Sequence, residues 1–180
     1  MATPNYLIRE ENLSDDGVEY LFVSKGIRDV VKAVQFDYVM NFSERKVYNL
    51  GFGDYDIFSG KINDSINTVN GDVYAVFNTV LSTIPKFFDK FSDAVILVQG
   101  SDSSAEFVES CRGSCVKKCR ATCKKQHRRI NVYRYYVNRN FNELSMTYKF
   151  FGSIRDVNDE VTIDDYAPHV QYDSVWVIKK

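Results

Sequence analysis

Four cysteines and a histidine have the residue types and spacing for chemistry: Cys111, Cys115, Cys119, Cys123 and His127 recur every fourth residue. Thiolate and imidazole are ligands that zinc prefers, and side chains four apart on a helix are neighbours able to share one ion. A single helix restricts this chemistry. Cys111 and Cys123 would stand about 18 Å apart along it, so the sulfurs could not close a tetrahedron around one ion. Cysteine is also a small, readily buried apolar residue. Taking Ile130, Tyr133, Val137 and Leu144 as an inward face and counting back by heptads places Cys123, Cys119 and Val116 on that face. The expectation is buried free thiols, no catalytic residue and no zinc needed for folding. A metal site at Cys111, Cys115, Cys119, Cys123 and His127 is the alternative. A disulfide or redox role ranks behind both, because bridges between helical neighbours are not expected in a reducing compartment.

The same stretch is basic. From Ser110 to Asn142 there is no Asp or Glu, while Arg112, Lys117, Lys118, Arg120, Lys124, Lys125, Arg128, Arg129, Arg134 and Arg139 contribute ten positive charges. Against the net −1 of the whole chain, this leaves −11 for everything else. Guanidinium groups match phosphate geometry, and the interleaved Tyr133, Tyr135, Tyr136 and Phe141 could stack on bases. The candidate binding residues are therefore Lys117, Lys118, Arg120, Lys124, Lys125, Arg128, Arg129 and Arg134, facing an acidic protein partner or nucleic acid. Two other readings stand beside this one: a merely solvated face, and neutralisation by the chain's own acidic stretch at Asp156, Asp159, Glu160, Asp164 and Asp165.

Enzyme signatures are few. There is no phosphate-cradling P-loop, no dinucleotide glycine fingerprint, no His-Glu-x-x-His and no Gly-x-Ser-x-Gly. Gly100-Ser101-Asp102-Ser103-Ser104 follows a buried apolar run and leads into a helix, so its backbone donors could receive an anion, although a plain helix start explains it equally well. His169, after Pro168, has no nucleophilic neighbour.

These residues have to be positioned by 180 residues, 44% apolar and 14% aromatic, enough for an ordinary domain with a real core. No run of about 18 apolar residues occurs and no secretory signal is readable at the N-terminus, so the expectation is a cytoplasmic protein without a membrane span. Period-two alternation predicts strands over Val18–Ser24, Val30–Phe42 and Lys46–Gly53. Asp72 stands at an N-cap position. From Val73 to Phe91 apolar residues fall at steps of three and four, predicting a core helix kinked or broken at Pro85. Ala94–Val98 suits a buried strand. A helix opened by Ser103 or Ser104 meets no strong stop before Glu143 except Gly113. Unbroken, it would measure roughly 60 Å, against a body diameter of about 40 Å. The segment 103–144 is therefore expected to break near Gly113 or Lys124, or to protrude as an arm through which copies of the chain could associate. Strands at Met146–Phe151 and Ser174–Ile178, with an acidic loop between them, finish the chain. The expected class is α+β: one domain over 1–180 with a mainly antiparallel twisted sheet on a core helix, plus the long basic helical segment.

Two resemblances attach to particular segments. Tyr48-Asn49-Leu50-Gly51-Phe52-Gly53-Asp54, Gly71-Asp72, Val98-Gln99-Gly100-Ser101-Asp102 and Arg128-Arg129-Ile130-Asn131-Val132-Tyr133 together resemble a family of small bacterial proteins of unknown function. That resemblance covers most of the chain and implies no activity. More loosely, the order of elements is similar to the GCN5-related acetyltransferases, whose last helix carries a tyrosine near the acyl chain. Arg129-Ile130-Asn131-Val132-Tyr133 to Asn140-Phe141 echoes that helix. The acetyl-CoA pyrophosphate loop of those enzymes should precede Val73, where this chain has Asn70-Gly71-Asp72 and a carboxylate in place of the phosphate-binding turn. The expected function is a non-enzymatic binding or regulatory module acting through the basic segment. The alternative is an acyltransferase-like enzyme with a degenerate acetyl-CoA loop.

Overall fold

Alternating β-branched or aromatic and polar residues make the first third of the chain strand-forming, and a computed structural model of the protein shows how those strands are joined. It describes residues 5–63, 70–113, 115, 118–119, 122–156, 158 and 160–180. Strands β1 (Arg9–Ser14), β2 (Gly17–Ser24), β3 (Val30–Phe42), β4 (Arg45–Asp56) and β5 (Lys61–Asn63) precede helix α1 (Val73–Lys90) and strand β6 (Val95–Gln99). Helices α2 (Ala105–Gly113) and α3 (Arg128–Thr147) and strands β7 (Tyr148–Arg155), β8 (Val161–Asp165) and β9 (Ser174–Lys179) follow. The class is α+β with mostly antiparallel pairing. The described residues form two compact units that part in sequence within β6, after Ile96. No described helix is long and apolar enough to cross a membrane.

In the first unit the strands run as an antiparallel meander in chain order from β1 to β4, with β5 folded back on β4. Register follows the alternation: Tyr20 opposes Val34 and Phe36 opposes Leu50, and all four are buried. Helix α1 packs on this face, its Phe87 ring stacked 4.4 Å from Phe36 and 5.2 Å from Tyr48. Of the kink or break expected at Pro85, the break does not occur, since α1 is one helix with Pro85 inside it. Proline in a helix interior costs about 3 kcal/mol. Burial of Phe87 and Phe88 just beyond it returns roughly 1.5–3 kcal/mol each, so packing holds the last turn in place. β1, unpredicted, has the sequence Arg-Glu-Glu-Asn-Leu-Ser with no apolar alternation. Backbone pairing with β2 makes it a strand, and its register slips by a bulge between Glu11 and Ser14.

In the second unit the helical stretch expected after Ser103 is two helices, α2 ending at Gly113 and α3 starting at Arg128. Ser104 caps α2, its Oγ accepting the Phe107 N–H at 3.1 Å. His127 adopts a left-handed conformation ahead of α3. α3 leaves helical geometry at Asn140, whose Nδ2 donates to the Tyr136 carbonyl at 2.9 Å and so fills an acceptor near the kink. It then continues to Thr147, past the point where a strand was predicted. β8 lies within the predicted acidic loop. Its Val161-Thr162-Ile163 run supplies β-branched residues that pair with β7, Ser153 opposite Ile163.

Tyr166 is buried beside Phe141 and Tyr172, and its hydroxyl donates to Asn138 Oδ1 at 2.7 Å. Burial pushes its phenol up to about 12, against an opposing pull from Arg134. A phenol whose pKa is raised by folding contributes stability that is present below about pH 10 and lost as pH rises towards 12. Urea unfolding of wild type and Tyr166→Phe at about pH 9 and about pH 12 should therefore show the wild type losing the more stability, by on the order of 2 kcal/mol. Equal losses would refute the shift.

Candidate functional site

Polar residues collect at one end of the core face of the first unit. The register places Phe22 opposite Lys32 and Lys32 opposite Asp54. Lys32 and Asp54 are both buried and form an ion pair, with the lysine ammonium 5.7 Å from the Phe52 ring centroid. Tyr6, Phe22 and Phe52 stack in series, at 5.8 and 6.3 Å. Asp72 occupies the N-cap position of α1, yet its side chain makes no cap bond. Its Oδ2 instead accepts hydrogen bonds from the Tyr6 and Ser24 hydroxyls, each at 2.6 Å. Asn70 Nδ2 donates to Ser24 Oγ and to the Arg28 carbonyl. Burial raises the Asp72 carboxyl, but the bonds from Ser24 and Tyr6 and the charge of Lys32 outweigh it and hold the group below the usual carboxylate range. A negative charge therefore stands at the α1 N-terminus, where a bound phosphate would otherwise be favoured.

The Gly100–Ser104 loop of the second unit is tied to the start of α3. The Asp102 carbonyl accepts the His127 N–H at 3.2 Å, and its Oδ2 accepts the Arg129 N–H at 3.1 Å. Arg129 Nη1 donates to Ser101 Oγ at 2.7 Å, and Gln126 Nε2 to the Ser103 carbonyl at 3.3 Å. A Cβ on Gly100 would meet Asp102 Oδ1 at 2.6 Å and Ser103 Oγ at 2.9 Å, so a side chain there would displace the stapling residues. The chain's own carboxylate thus serves the α3 N-terminus.

The candidate cations fall into groups. Lys118, Lys124 and Arg128 are exposed, Lys125 and Arg129 are half-buried, and Lys117 and Arg120 lie outside the described residues. Arg134 stands apart from the rest. It is buried, with its guanidinium donating to the Tyr172 carbonyl and to Asn131 Oδ1, each at 2.7 Å, and to Gln171 Oε1. Its role is to anchor α3 within the second unit. Along α3 the exposed residues Arg128, Val132, Tyr135 and Arg139 follow at steps of four, three and four and share a face, with Tyr135 64% exposed. Of the acidic residues after β7, Asp165 pairs with Lys149 at 3.1 Å, and Asp156 Oδ1 accepts the N–H groups of Asn158 and Glu160.

The cysteines do not lie on one helix, because α2 stops two residues after Cys111. Cys111 is buried and Cys115, Cys119 and Cys123 are half-buried. In the turn before α3 the Lys124 N–H donates to Cys119 Sγ at 3.4 Å. Among the described residues no group of three or more His, Cys, Asp or Glu is placed to hold a metal ion.

Sequence reasoning missed the Lys32–Asp54 pair and the Asp72 cluster. A signal was present: both partners of the pair occupy positions where the strand alternation points a side chain towards the core, in phase with Val34 and Phe52.

Comparison with known proteins finds no match among curated proteins and none among solved structures. A family model, described as a family of unknown function (DUF6934), matches residues 3–106. The matched span takes in β1 to β6 with α1 and the Gly100 loop, and it ends before the cysteines, the basic turn and α3. Since it covers more than half of the 180 residues, the chain belongs to this family of unknown function, DUF6934.

Proposed function

We propose that the chain is a non-enzymatic binding module whose exposed α3 face and preceding turn take an acidic partner, either nucleic acid or an acidic protein segment. The observation that supports this is one face carrying Arg128, Tyr135 and Arg139, with exposed Lys124 just before it, in a segment without a carboxylate from Ser110 to Asn142. Charges exposed on one side attract a polyanion over a Debye length of about 8–10 Å. An aromatic ring between them adds a stacking surface. Because these residues lie outside the span matched by the family model, the reading concerns this chain rather than the family as a whole.

Each neutralised phosphate releases condensed counterions, and affinity for single-stranded nucleic acid should fall with a log-log salt slope of about −0.7 per contact. Arg128→Gln and Arg139→Gln should each flatten that slope by roughly one contact and weaken binding about tenfold. Tyr135→Ala should weaken binding at every salt concentration while leaving the slope unchanged. Fluorescence anisotropy with a labelled oligonucleotide and with an acidic peptide separates the two partner classes. Absence of salt-dependent binding to either would overturn the proposal.

The acetyltransferase alternative requires a pyrophosphate to approach the α1 N-terminus, where Asp72 already holds a negative charge. Acetyl-CoA is therefore expected to leave the melting temperature unchanged. A concentration-dependent rise would favour the enzyme, since a ligand that binds only the native state must stabilise it.

A further inference from the structure

We infer that the loop end of the first unit is a lipid-surface contact, whose exposed apolar side chains enter an anionic bilayer while neighbouring lysine and arginine side chains meet its headgroups. Register and hydrogen bonds bring four segments to this end. Ser24 opposes Val30 and Lys32 opposes Asp54, so the β2–β3 connection and the β4–β5 turn leave the sheet side by side, about 10 Å apart at two strand spacings. Asn70 Nδ2 donates to the Arg28 carbonyl at 2.9 Å, and Asp72 accepts from Ser24 and Tyr6. These bonds add the start of α1 and the segment before β1.

The four segments carry Leu7, Ile27, Ile57, Phe58, Val73 and Tyr74, which are 67–102% exposed. Among the described residues Met146 is the only other large apolar side chain exposed to that degree. Single exposed apolar residues are ordinary, but their collection at one end marks a contact surface. The exposure is built into the β4–β5 turn. Asp56 Oδ1 accepts the Phe58 N–H at 2.9 Å, its Oδ2 accepts the Ser59 hydroxyl at 2.8 Å, and its carbonyl accepts the Gly60 N–H at 2.8 Å. Gly60 takes the left-handed conformation that glycine adopts without strain. The turn is thus closed by its own bonds, and Phe58 stands outward on a fixed support.

Charge selects the occupant. Lys25, Arg28 and Lys61 are exposed on the same loops. Of the described carboxylates at this end, Asp54 is paired with Lys32, Asp72 accepts from Ser24 and Tyr6, and Asp56 is taken up by its turn. That leaves exposed Asp29 against three cations. The first turn of α1 holds no acidic residue. Apolar and aromatic side chains interleaved with basic ones suit the boundary between acyl chains and anionic headgroups. Side chains standing on four separate segments reach a broad, yielding surface better than they line one groove. This end lies within residues 3–106, the span matched by the family model, and uses none of the basic α3 residues.

The test is sedimentation of the full chain with phosphatidylcholine vesicles, with and without phosphatidylserine. Wild type should bind the vesicles that contain phosphatidylserine. Ile27→Ser combined with Phe58→Ser should lower that affinity about tenfold or more. Lys25→Gln, Arg28→Gln and Lys61→Gln together should reduce it to the level found without phosphatidylserine. Substitutions at exposed positions leave stability nearly unchanged, and melting temperatures check this. In Phe58→Trp, brominated lipid should quench the introduced indole, whereas Trp176, buried in β9, should stay unquenched in the wild type. Phe58→Trp keeps a large aromatic residue at the tip, so it decides even should the other variants not fold. Absence of vesicle binding would overturn the inference. So would binding that survives the Ile27 and Phe58 substitutions but is lost in Arg128→Gln with Arg139→Gln, which would assign the vesicle contact to α3. An oligomer that Ile27→Ser with Phe58→Ser returns to monomer, with no quenching in Phe58→Trp, would overturn it as well, because the occupant would then be a second copy of the chain.

Discussion

Lys32→Met is expected to destabilise the protein by about 3–5 kcal/mol, whereas Lys32→Met combined with Asp54→Leu should recover most of that loss. The asymmetry comes from burial. Lys32 and Asp54 are 6% and 8% exposed, so the two charges have given up most of their water and their mutual attraction roughly offsets that cost. Removing the ammonium alone leaves the Asp54 carboxylate in the core without its partner, which is the expensive state. Removing both leaves an apolar patch beside Phe22 and Phe52, whose rings already stack there. Urea unfolding of the single and double variants measures both quantities in one cycle. A double variant as unstable as Lys32→Met would show that the pair contributes net stability and is more than a satisfied burial.

Phe87→Ala should cost about 3–5 kcal/mol, the range for truncating a fully buried aromatic residue. Phe87 has no exposed surface, and its ring meets those of Phe36, Phe91, Tyr48 and Phe88 at centroid distances of 4.4, 4.9, 5.2 and 5.5 Å. Truncation would remove a whole ring from the contact between α1 and strands β3 and β4, and four neighbouring rings cannot all collapse into the space left behind. In a chain of this size a loss of that order lowers the melting temperature by about 10 °C. Phe87→Leu, which fills part of the volume, should lose roughly half as much. A melting temperature within about 2 °C of wild type for Phe87→Ala would mean that the ring is not at the centre of this core.

Elements with a strong period were legible in the sequence, and those made by their surroundings were not. β3 is found at the predicted Val30–Phe42, and α1 ends within one residue of its prediction, because there the apolar residues themselves carry the spacing. β1 and β8 escaped because each borrows its regularity from a partner strand, β1 with a polar sequence and β8 with a run of three β-branched residues between acids. α3 was misplaced at its start because its start signal is remote: Asp102 supplies the bond to Arg129, a contact across 27 positions that no local window contains. The candidate site was legible in part. The basic composition singles out one segment, but only the fold distinguishes Arg134, turned inward onto Tyr172, from exposed Arg128 and Arg139. The separation of Cys111 from the later cysteines was hidden for a related reason, since a four-residue repeat invites a helix and the chain leaves the helix at Gly113.

The charged, bulged β1 also bears on how the protein behaves in a crowded solution. It ends the run of strands in the first unit, and a terminal strand offers unpaired backbone groups onto which another chain could add. Here such a chain would meet Arg9, Glu10 and Glu11 in succession, followed by a break in register between Glu11 and Ser14. A flat ladder cannot propagate past that break, and incoming copies carry the same charges. The strand least legible in the sequence thus guards the meander against sheet-to-sheet aggregation, and its polar composition is what suits it to that position.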